Sequence, residues 1–108
     1  MGIYAKIKKE FGFLSKLYGF EIYMKQKHGS YYFVDWTNSN VNIKPLYDLT
    51  DDKKPMRILI YDAESLGTVY DVVEYADEFA LDYGSPRERI HCAAEWLKSA
   101  IEDKIITV

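Results

Sequence analysis

Met56-Arg57-Ile58-Leu59-Ile60-Tyr61-Asp62 is the run whose reading decides the fold. Its apolar residues fall on both parities: Met56, Ile58 and Ile60 on one side, Leu59 and Tyr61 on the other. A strand with one wet face alternates apolar and polar residues, so this run reads as a strand covered on both sides. The residues before it read as strands that pair towards it, and those after it as helices that pack on it.

Upstream, Ile3, Ile7, Phe11, Leu14 and Leu17 recur at helical steps, with Lys6, Lys8, Lys9 and Lys16 mostly off that stripe. The spacing predicts a helix over residues 3–18, closed by Gly19 in the left-handed conformation, with Phe20 folding back on Leu14. From Phe20 the period changes to two, placing Phe20, Ile22 and Met24 on one face. His28-Gly29-Ser30 and Thr37-Asn38-Ser39-Asn40 supply turns on either side of the aromatic run Tyr31 to Trp36. Val41, Ile43, Pro45, Tyr47 and Leu49 then alternate with polar residues. Pro45 lacks a ladder donor, which predicts an edge position or a bulge. Four strands joined by short loops make an antiparallel meander.

Downstream, Leu66, Val69, Val73, Ala76, Ala80 and Tyr83 follow a helical period that Gly84 ends. Ser85-Pro86-Arg87-Glu88 combines an N-cap serine, proline at the first helical position and glutamate three residues after the cap. Ile90, Ala93, Ala94, Leu97 and Ile101 form the apolar side of the last helix, beside Trp96. The apolar end at residues 105–108 either packs on the core or extends an edge strand. The expected fold is a single α+β domain over residues 1–108. It has an N-terminal helix, a four-stranded antiparallel meander and two C-terminal helices packed on one sheet face.

At 108 residues, with 48% hydrophobic and 29% charged, the chain has the balance of one ordinary globular domain. The single cysteine, Cys92, excludes an internal disulfide framework and fits a reducing compartment. No run approaches the roughly 18 apolar residues that span a bilayer, and the N-terminal lysines precede no signal-length apolar stretch. A soluble cytoplasmic protein, with no membrane partner, is the expectation. Charge is uneven. Residues 1–54 carry nine Lys against six Asp/Glu, whereas residues 55–108 carry five Lys/Arg against eleven Asp/Glu. An acidic second half argues against nucleic acid as the main partner.

No catalytic constellation emerges. His91 and Cys92 are adjacent on the last helix, so they point about 100° apart and do not converge on one atom. Pairing Cys92 with His28 would need a contact that nothing in the sequence supports. Ala63-Glu64-Ser65-Leu66-Gly67 lacks the first glycine of a nucleophile elbow, and the glycines are too scattered for a phosphate loop. No cofactor, no metal site and no enzymatic activity are expected.

Two surfaces stand out instead. Residues 64–83 hold six acidic residues and no Lys or Arg, and Asp71, Glu74, Glu78 and Asp82 fall in one line of the expected helix. Like charges at these spacings repel by roughly 0.2–0.5 kcal/mol per pair. The line is either a solvated face that aids solubility or a docking face for a basic protein, with Tyr70 and Tyr75 flanking it. The second surface is the sheet face away from the helices. There Tyr23, Tyr32, Trp36 and Tyr61 would cluster as core or as a homodimer interface.

The helix end Leu14-Ser15-Lys16-Leu17-Tyr18-Gly19-Phe20, followed by Ser30-Tyr31-Tyr32-Phe33-Val34-Asp35-Trp36-Thr37-Asn38, resembles small bacterial immunity-type proteins. These are α+β inhibitors of polymorphic or contact-dependent toxins, and the likeness covers roughly the first 60 residues. The resemblance implies no catalysis, a cytoplasmic location and a cognate toxin bound through a variable, often acidic, surface. The expected function is neutralisation of a toxin by occluding its basic surface. The alternatives are a homodimeric structural or regulatory domain, and a small ligand-binding protein or enzyme.

Overall fold

The computed structural model describes residues 2–51, 55–63, 68–71 and 85–108. Along them run α1 (Ile3–Glu10), α2 (Phe13–Tyr18), β1 (Glu21–His28), β2 (Tyr31–Thr37), β3 (Val41–Asp48), β4 (Met56–Asp62), β5 (Thr68–Asp71) and α3 (Pro86–Glu102). The strands form an antiparallel sheet in the order β1-β2-β3-β4-β5, each paired with its neighbour in sequence. The α+β meander read from the sequence is present, extended by one strand.

The opening stripe folds as two helices, not one. The chain breaks at Phe11-Gly12, where the Gly12 N–H donates to Lys9 O at 3.3 Å, the tighter spacing of a 3₁₀ turn. Ile7, Phe11 and Leu14 keep the stripe and are fully buried, but the break swings Leu17 outward to 56% exposure. Gly19 closes α2 at φ +71°, and the Phe20 N–H donates to Leu14 O, which returns Phe20 to the core.

The turns form as their residues dictate. Gly29 takes φ +61° between β1 and β2. Between β2 and β3 the Asn38 Oδ1 accepts from the Asn40 and Val41 N–H groups, holding Ser39 at φ +73°. Pro45, expected at an edge or bulge, lies in the central strand. The recorded β2–β3 pairing stops at Phe33↔Leu46 and resumes at Trp36↔Ile43, on either side of the missing proline donor, while the β4 side stays continuous. The irregularity falls on β1 instead, between Ile22 and Met24.

A second correction concerns the expected helix over residues 64–83. Thr68–Asp71 is a strand that pairs with β4 through Leu59↔Asp71, Ile60↔Tyr70 and Tyr61↔Thr68. Gly67 sits unfavourably inside a helix, and Thr68-Val69-Tyr70 are strand formers, so local propensity and an available β4 edge outweigh the helical stripe. Residues 72–83 lie outside the described residues, leaving α3 as the C-terminal helix among those described. There the cap forms as read: Pro86 opens the helix and the Glu88 N–H donates to Ser85 Oγ at 3.2 Å.

The core lies on one face of the sheet. Trp36, Ile43 and Ile60 form one row across it, and Tyr32, Tyr47 and Met56 another. Phe11 meets Trp36 with ring centroids 6.2 Å apart, and Ile90, Ala93, Ala94, Leu97 and Ile101 close the layer from α3. The chain end packs on this core and adds no strand: Ile106 is buried, and its N–H shares Ala100 O with that of Ile105. Among the described residues, no helix is long and apolar enough to cross a membrane.

Candidate protein-binding surface

β1 is an edge strand, so one side of its backbone faces away from the sheet. The register shift at Tyr23 ends the alternation that would have put Phe20, Ile22 and Met24 on one face. Ile22 stays opposite Trp36, and Met24 comes opposite Asp35, on the other face. Phe20 is buried, while Ile22, Tyr23 and Met24 are 39%, 63% and 44% exposed, and Tyr31 of β2 is exposed as well. Three consecutive apolar side chains on an edge are an unusual expense of solvent contact for a small domain.

The sheet face away from the helices carries Phe33, Asp35 and Thr37 from β2, Asn42, Lys44 and Leu46 from β3, and Leu59 and Tyr61 from β4. Lys44 Nζ lies 4.6 Å from the Phe33 ring centroid and 5.3 Å from that of Tyr61. Its cation rests on the two π-faces. Asp35 is buried, and its Oδ1 has no hydrogen-bond partner among the described residues. Desolvation pushes its pKa up to about 6 against the opposing pull of Lys44.

Where this face meets the start of β1, a cavity of about 530 Å³ opens. Gly19, Glu21, Tyr23, Thr37, Asn38, Ser39, Asn42 and Ala63 line it. Three separate steps build it: Gly19 ends α2, the Asn38 turn folds over, and Thr37 pairs with Asn42 across the β2–β3 ladder. The turn is further fixed by the Asn38 Nδ2 donating to Val108 O at 3.3 Å, which ties the chain end to the rim.

The residues singled out from sequence are dispersed. Tyr70 and Asp71 lie on β5, not on a helix. Glu74, Tyr75, Glu78 and Asp82 lie outside the described residues. The four-aromatic dimer face does not form. Trp36 is buried in the helix-side core, Tyr32 packs against that core, Tyr61 is on the opposite face, and Tyr23 stands at the bulge. Alternation sends Tyr32 and Trp36 to the side that Tyr61 does not share. The sequence reading missed Glu21, Ile22, Met24 and Asn42 as surface and cavity residues. The bulge that re-aims β1 has no sequence signature, and only the edge position makes Ile22 exposed.

His91 is exposed and its Nδ1 lies 3.1 Å from Glu10 Oε1, which also pairs with Lys6 at 2.8 Å. Burial would raise the Glu10 carboxyl, but the hydrogen bonds from Lys6 and His91 prevail and lower it. Cys92 is half-buried against the core. Among the described residues no group of three His, Cys, Asp or Glu converges to hold a metal. Comparison with protein-family models, curated proteins and solved structures returned no match.

Proposed function

We propose that this chain is a non-enzymatic binding domain for a basic protein, acting as an immunity-type inhibitor that occludes a toxin's basic surface. The observation that carries the reading is the exposed apolar run Ile22-Tyr23-Met24 on the edge strand β1. Such a strand offers backbone groups for pairing and large side chains for desolvated contact. A basic partner is supported by residues 64–83, which hold six carboxylates and no Lys or Arg. Opposite charge on the partner would speed association and select it.

In the immunity-type systems the first 60 residues resemble, the inhibitor gene follows its toxin gene, so the test uses the product of the gene directly upstream. Calorimetry should show a tight complex, weakened by Tyr23→Ser and by Glu74→Lys with Glu78→Lys. The wild-type affinity should fall with salt more steeply than that of the charge-reversed variant. Absence of a complex, or affinity indifferent to both changes and to salt, removes the reading.

A further inference from the structure

The cavity at the start of β1 has a chemistry more specific than its surroundings. The described residues that line it include one carboxylate, Glu21, and no Lys or Arg. The polar groups of its turn are largely spent on one another. Thr37 Oγ1 accepts from the Ser39 N–H at 3.3 Å, the Ser39 hydroxyl donates to Asn38 O, and Asn38 Oδ1 accepts two backbone N–H groups. Asn42 is the exception. Asn42 lines the cavity while only 6% exposed, yet its buried Oδ1 has no hydrogen-bond partner among the described residues. An unpaired buried acceptor is costly, and a ligand donor that reaches it relieves that cost. The Asn χ2 torsion is soft, so the Asn42 amide can turn towards a donor that enters the cavity.

We propose that this cavity receives an arginine side chain of the protein partner. The inference rests on the reading of that partner as a basic protein. A guanidinium brings five donors in one plane. One edge donates to the Glu21 carboxylate, another to Asn42 Oδ1, and its face stacks on the exposed Tyr23 ring. Met24, exposed and paired with Asp35, lies on the same sheet face as Thr37 and Asn42, so apolar contact accompanies the charged anchor, the arrangement of interface hot spots.

The test needs no partner and so fails independently of the proposed function. N-acetyl-arginine amide is titrated into the full chain and followed by two-dimensional NMR, with N-acetyl-glutamine amide as the uncharged control. The expected result is saturable movement of the Glu21, Tyr23, Thr37 and Asn42 backbone amides and of the Asn42 side-chain amide. Glu21→Gln, an exposed change that leaves the core untouched, should weaken binding by about tenfold or more. Equal shifts with the glutamine probe, no saturable shift with arginine, or full binding by the Glu21→Gln variant overturns the proposal.

Discussion

Asp35 is one residue through which pH acts on this molecule. Its carboxyl ionises near 3.8 in an unfolded chain but near 6 in the fold, because burial in the sheet penalises the charge more than Lys44 relieves it. Below pH 4 the group is neutral in both states and imposes no penalty. Between about pH 4 and 6 the unfolded state loses its proton first, so stability falls as pH rises, and above 6 the full cost of about 3 kcal/mol is present. Asp35→Asn keeps the shape without the charge. It should gain stability relative to the wild type by up to that amount between pH 4 and pH 7, read from urea midpoints at both. A difference that does not change with pH would show that Asp35 carries no such strain.

At the scale of elements, stability depends on how each one ends. The Ser85 cap satisfies one of the free N–H groups of α3, and Pro86 fits the first turn without losing a donor. Ser85→Ala should lower unfolding free energy by about 1 kcal/mol, with α3 opening sooner in amide hydrogen exchange. This end was legible because four adjacent residues specify it. The break at Phe11-Gly12 was not. The apolar spacing runs straight through it, and the break appears only in the fold, where Phe11 at the junction is fully buried against Trp36. Pro45 gives the same lesson. Its missing N–H is local, but whether a central strand tolerates the gap depends on β4 pairing fully on the other side.

Across the whole molecule, the helix-side core and the β1 edge should respond oppositely to substitution. Trp36→Ala removes a fully enclosed ring and should cost about 3–5 kcal/mol. Tyr23→Ser should change stability by less than about 0.5 kcal/mol. A comparable loss from both, in paired denaturant titrations, would mean that Tyr23 belongs to the core. The edge also bears on assembly. With Trp36 and Tyr32 committed to the interior, the four-aromatic dimer interface is gone, and the free chain should run as a monomer in size exclusion with light scattering. A dimer at micromolar concentration would assign the β1 edge to self-pairing and not to a heterologous partner.

The sequence by itself determined the α+β class, the meander through β4, the cap of α3 and the buried row of Met56, Ile58 and Ile60. These follow from period, turn residues and capping, all read within a few neighbouring positions. The tertiary structure decided that Thr68–Asp71, whose residues also favour a strand, pairs on β4, that β1 bulges at Tyr23, and that Glu21, Thr37 and Asn42 share a cavity. Each of these depends on which strand lies beside which. That choice is set by long-range pairing and burial, and a local pattern does not encode it.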